Sequence, residues 1–232
     1  MTHTLHRRGT GDSLSRDIIF LIMPSKDINH VGSAKPLKRF FEIALEAGAV
    51  KIGDCRSGNE YYQGSLQNVI NKVQDRAVIH AVFNNQVKAV DMLRRLKEAE
   101  LGLSVVVSGL LPVVDKCCKQ AGLHRHTVEH SLGIWGRVDK LPREQVLEIN
   151  TMCGHGMVTV ALINDVIDRV KSGSLTAENG AEELFKPCMC GIFNTKRAAE
   201  LLSAIAEEEK VVGGQKKAVA PREKGDMLTR VW

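Results

Sequence analysis

The hydrophobic positions of this chain change period in a regular rhythm. Residues 17–24 (DIIFLIMP) are almost continuously apolar, the pattern of a strand covered on both faces. Leu37, Phe40, Phe41, Ile43, Ala44 and Leu45 then recur at helical spacing, predicting a helix capped by Ser33 and stopped by Gly48. The cycle repeats. Residues 49–55 read as strand, 65–75 as a short helix with a Ser cap, 77–83 as strand and 86–102 as helix. Residues 103–109 follow as strand and 112–122 as helix, and a fifth, ambiguous strand falls within 126–134. Such alternation predicts βαβ crossovers and a parallel sheet, with too few units for an eight-stranded barrel. The expected fold is therefore α/β: an open, doubly wound, mostly parallel sheet of about five strands.

Beyond residue 138 the period is helical. Pro142 suits a first helical position ahead of Val146, Leu147, Ile149 and Met152. Helices follow over 157–171, 177–185 and 194–208, with Thr176 and Asn194 as caps. A competing reading makes 146–152 a sixth strand and Cys-Gly-His-Gly a strand-to-helix turn. The expected organisation is a flexible arm over 1–16, an α/β domain over 17–138, a helical subdomain over 139–210 and a basic tail over 211–232.

Composition narrows the function. Hydrophobic residues make up 44% of the chain but aromatics only 4%, which argues against a base-stacking nucleic-acid platform. The net charge of +5 comes largely from both ends, where solvated termini are the simplest reading. No apolar run reaches the roughly 18 residues of a membrane span, and the start lacks the apolar region of a secretory signal. A cytoplasmic location is expected. There, six cysteines indicate reduced thiols available for metal binding or catalysis rather than a disulfide framework.

The strongest chemical signal is the pair of segments Met152-Cys153-Gly154-His155 and Cys188-Met189-Cys190-Gly191. Thiolate and imidazole are the preferred ligands of zinc, copper and iron, so Cys153, His155, Cys188 and Cys190 form a candidate ligand set for a metal ion or iron–sulfur cluster. Met152, Met157 and Met189 would also suit a soft metal, although core filling is the plainer role for methionine. Cys188 and Cys190 precede a predicted helix, whose dipole favours thiolate. The spacings are not the Cys-x-x-Cys of structural zinc, and buried apolar thiols are the bland alternative.

In a parallel sheet, substrate binds where the strands' carboxyl ends converge. That rule nominates Ser25, Lys26, Arg56, Asn59, Asn85 and Ser108 for a small polar or anionic substrate, with Asp54, Cys55, His126 and His130 as catalytic groups. Neither Gly-x-Gly-x-x-Gly nor a P-loop is present, so standard dinucleotide binding and P-loop chemistry are not expected, while a flavin or nucleotide held by another loop design stays open. His126–His130 matches His-x-x-Glu-His formally, but that zinc motif works only on a helix, and a strand is expected here. His80 reads as a hydrogen-bonded core histidine, and packing explains Cys117.

Together these features predict a metal- or iron–sulfur-dependent enzyme acting on a small molecule, without a membrane partner and with self-association open. A metal or cluster carrier is the second reading, and a ligand-binding protein with a structural zinc site the third. Cys55 is the discriminating residue: it sits at the expected pocket, apart in sequence from the other thiols.

Overall fold

Strand β1 (Ile18–Met23) lies in the middle of the sheet and buries both of its faces. The computed structural model describes residues 4–212 and 228–231. Within it, β2 (Lys51–Asp54), β3 (Ile79–Phe83) and β4 (Ser104–Leu110) join β1 in the order β2-β3-β1-β4, and every pairing is antiparallel. At the β4 edge the backbone of β6 (Leu228–Val231) pairs with β4 and with β5 (Val128–His130).

The expectation of a mostly parallel sheet is thus overturned, and the connections explain why. Helix α2 (Ala34–Glu46) carries the chain from β1 to β2, and α5 (Gln86–Ala99) carries it from β3 to β4. Each makes a crossover between parallel strands, but β3 fills the gap in the first unit and β1 the gap in the second. The connection from β2 to β3 holds only α3 (Glu60–Gln63) and α4 (Leu66–Asn71), separated at Gly64. At about 1.5 Å per residue neither is long enough to return the chain along the sheet. The chain therefore re-enters from the same end, and β3 runs antiparallel to β2.

Alternation along β1 assigns its two faces. Ile18, Phe20 and Ile22 pack with Ile79, Ala81 and Phe83 against α2, α5 and α6 (Leu111–Gln120). Ile19 and Val82 face the other way, into a second core made by α7 (Glu144–Asn150), α8 (Val160–Lys171), α9 (Ala177–Phe185) and α10 (Thr195–Val212). The helical segment is therefore a layer on the sheet. Residues 146–150 are helix, as Pro142-Arg143-Glu144 suggested. Residues 4–16, read above as a loose arm, carry α1 (Gly11–Ser15) and bury Leu5, Arg7 and Leu14. Residues 213–227 of the expected tail lie outside the described residues.

Candidate metal centre

Three segments meet on the helical side of the sheet. Gly53 and His80 are register partners in β2 and β3 and share that face, and Cys55 follows two residues after Gly53. Cys153 closes the turn after α7, its N–H donating to the Asn150 carbonyl at 3.2 Å. Gly154 and Gly156 take positive φ, 69° and 73°, which turns the exposed Gly-His-Gly segment after Cys153 back into the fold. Asn150 Nδ2 donates to the Val158 carbonyl at 2.8 Å and closes that loop.

Cys188 and Cys190 occupy the turn after α9. The Cys188 N–H donates to Phe185 O at 2.8 Å, and the Gly191 N–H to Cys188 O at 3.0 Å. Ile192 and Phe193 anchor the turn in the core before Asn194 caps α10, accepting from the Arg197 N–H at 3.1 Å. Asn59 fastens this turn to β2: its Nδ2 donates to Cys188 O at 2.9 Å while its Oδ1 caps α3. Lys51, held between Glu60 and Glu182 at 2.7 and 2.8 Å, stands over the Phe185 ring and secures the end of α9.

These anchors bring four sulfurs into one row. Cys153 is within hydrogen-bond reach of Cys188, Cys188 of Cys190, and Cys190 of Cys55. His155 Nδ1 lies 3.4 Å from the Cys190 sulfur, and His80 Nδ1 lies 3.7 Å from that of Cys55. Cys153 and Cys188 are 0% exposed and Cys190 3%; Cys55 is half-buried and His155 exposed. The row therefore runs from the interior to the surface.

The electrostatics are those of neutral thiols. The Cys188 sulfur accepts from Cys153, which favours its thiolate, but donation to Cys190 and burial outweigh this and push it up to about 12. Cys190 behaves alike: acceptance from Cys188 is outweighed by donation to Cys55 and by burial, giving about 12. Donation to Cys188, then burial, raises Cys153 as well. The expected helix-dipole stabilisation of thiolate is overridden by desolvation. Burial, followed by the charge of His155, lowers His80 to about 3 and keeps that ring neutral.

Among the described residues no three His, Cys, Asp or Glu side chains stand ready-spaced around a metal position. By type alone, thiol and imidazole are the donors of zinc and of iron–sulfur clusters; as placed, the sulfurs form a row and do not surround one point.

The remaining nominated residues separate by the sheet's polarity. In an antiparallel sheet alternate strands end at opposite edges, so the carboxyl ends do not converge. Ser25, Lys26, Asp54 and Arg56 follow β1 and β2 at one end; Asn85 and Ser108 lie at the other, where Phe83 pairs with Ile18 and Ser108 with Ile19. Asn85 caps α5, accepting from Val87 N–H at 2.7 Å, and Ser108 is buried in β4. Asp54 is buried and holds the turn at Cys55, accepting from the Arg56 N–H at 2.8 Å and the Ser57 hydroxyl at 2.9 Å. Asn29 Oδ1 accepts from the Ser25 N–H at 2.7 Å, and Lys26 is exposed beside it. His126 and His130 are exposed at the β5 edge, opposite β2, away from the sulfurs. His-x-x-Glu-His is strand-associated there, not helical.

Sequence reasoning missed Arg7, Asp17 and Arg197, which form a buried ion-pair network under the cysteine turns. In the sequence Arg7 reads as part of a charged terminus, beside His6 and Arg8. The only sequence sign was a charged pair, Arg16-Asp17, set against the most apolar strand. No family model, curated protein or solved structure matches this chain. No helix among the described residues is long and apolar enough to cross a membrane.

Proposed function

We propose that this chain is a metal protein whose resident centre, an iron–sulfur cluster or a zinc ion, is held by Cys55, Cys153, Cys188 and Cys190. One observation carries the reading: three segments distant in sequence bring their cysteines side by side, the Gly53 backbone before Cys55 lying against that of Cys190 and Arg7 bridging the turns of Cys153 and Cys190. Packing alone would not require this, since buried cysteines behave as small hydrophobes with no need of one another. Burial of Cys153, Cys188 and Cys190 favours a resident centre over one in transit through a carrier.

Reactivity belongs to the outer edge. Cys55 and His155 flank that side, and exposed Arg56 next to Cys55 offers charge to a small anionic molecule. Bound there, a metal supplies Lewis-acid or redox chemistry; His155 supplies a proton-carrying or ligating ring beside Cys190. An enzyme acting at this edge is the leading reading. A structural zinc site is the second, because Cys55 comes from the sheet and the other three cysteines from the helical layer, so a metal would cross-link the two.

The test is anaerobic purification, then reconstitution with iron and sulfide or with zinc, followed by metal analysis and visible spectroscopy. A brown protein with stoichiometric iron supports the enzyme reading, and colourless stoichiometric zinc the staple. Protein that retains neither metal overturns the proposal.

A further inference from the structure

We infer that Arg7 is a positioning residue for the metal centre, its buried guanidinium tying the two cysteine-bearing turns together. The inference rests on the metal reading above. The Arg7 side chain is fully buried. One nitrogen, Nη1, donates to Asp17. The other terminal nitrogen, Nη2, donates both to the Met152 carbonyl at 2.8 Å and to the Ile192 carbonyl.

Those acceptors are not arbitrary. The Met152 carbonyl belongs to the peptide that leads into Cys153. Ile192 stands two residues after Cys190, across Gly191, whose own N–H returns to Cys188. One planar group thus fixes the spacing between the turn that carries Cys153 and the turn that carries Cys188 and Cys190. A lysine ammonium lacks this fork geometry.

Charge gives a second reason. A metal dication ringed by four thiolates is a net anion, and a buried anion needs a compensating cation or hydrogen bonds. Arg7 places a fixed positive charge at the peptides adjoining the centre. Its Nε is buried without a hydrogen-bond partner among the described residues, so the group retains an unused donor.

Arg197 provides the internal comparison. It is 1% exposed and shares Asp17 with Arg7, at 2.9 Å. Its other side-chain bonds go to the Ser13 hydroxyl at 2.9 Å and the Arg8 carbonyl at 2.6 Å, and it pairs at 3.9 Å with Glu148 within α7; none of these partners lies on a cysteine turn itself. Loss of Arg197 should therefore weaken the fold without acting on the centre.

The experiment compares Arg7→Gln, Arg7→Lys and Arg197→Gln in the full chain. Each is loaded with zinc, titrated against a competing chelator, and unfolded in urea without metal. Removing a group that orients metal ligands typically lowers affinity by about 10- to 100-fold, and that is the loss expected for Arg7→Gln. Arg7→Lys, which keeps the charge but not the fork, should fall between it and the unaltered chain. Arg197→Gln should lose urea stability without a matching loss of zinc affinity. Where Arg7→Gln does not fold, Arg7→Lys against Arg197→Gln decides. Arg7 variants that bind zinc as tightly as the unaltered chain overturn the inference, as does equal weakening in Arg197→Gln. An unaltered chain that binds neither zinc nor cluster overturns the metal reading itself, a different outcome.

Discussion

Gly53 and Gly191 meet backbone to backbone, and this contact sets the Cys190 turn against the sheet. A Cβ on Gly53 would stand 2.7 Å from the Cys190 carbonyl carbon; one on Gly191 would stand 2.6 Å from the Gly53 nitrogen. Both obstacles are main chain, so neither can swing aside. Gly191 also has φ of +74°, where a side chain adds strain.

Gly53→Ala should therefore push the helical layer off β2. Overpacking of this kind costs about 1–3 kcal/mol, which a urea titration of the metal-free chain will read. Metal retention should fall with it, because Cys55 and Cys190 are the sulfurs that span the contact. An unchanged urea midpoint would show that the two backbones are not in contact.

Asp17 should be the most costly single residue in the buried ionic network. It accepts from Arg7, Arg197 and Asn194, and its removal leaves two buried guanidinium groups short of a counter-charge. Breaking such a network by removing one partner costs about 3–5 kcal/mol. Asp17→Asn should show that loss at neutral pH.

The same residue gives an acid dependence. Burial alone would raise the Asp17 carboxyl, but Arg7 and then Arg197 outweigh it and hold the group below its ordinary value of 3.8. The unfolded state then binds the proton first. The stabilisation is present above pH 3.8 and is lost as pH falls below it toward the folded value. In Asp17→Asn, urea midpoints measured from pH 5 downward should fall less steeply than in the unaltered chain. Parallel slopes would exclude Asp17 as their source.

Asn59 should report on the tie between β2 and the Cys188 turn. Asn59→Ala removes the α3 cap and the bond to Cys188 O together. Losing such a cap costs about 0.5–2 kcal/mol. In iron-loaded protein the visible band should also shift or bleach faster in air. A stability loss with an unaltered band would confine Asn59 to capping.

What was legible in the sequence was local. The apolar run of β1, the Ser65, Thr176 and Asn194 caps, and the Cys/His segments with their glycines all carry their signal within a few residues. Strand direction does not. The β2-to-β3 connection, read as a crossover helix, is two short helices broken at Gly64, and that one misreading reversed the sheet. The ground for nominating Asn85 and Ser108, converging strand ends, fell with it. The position of Cys55 at the end of β2 does not depend on which way β3 runs. Arg7 was illegible: its partners are 10, 145 and 185 residues away.

The central claim is that Cys55 belongs to one centre with Cys153, Cys188 and Cys190. The most direct test is metal content and visible spectrum after anaerobic reconstitution of the four single Cys→Ser variants, with Cys117→Ser and Cys118→Ser alongside. Cys117 and Cys118 lie in α6 on the opposite core and should leave metal binding intact. Cys55→Ser should lose or alter the metal signal as fully as Cys188→Ser does. Full metal content and an unchanged spectrum in Cys55→Ser would contradict the account.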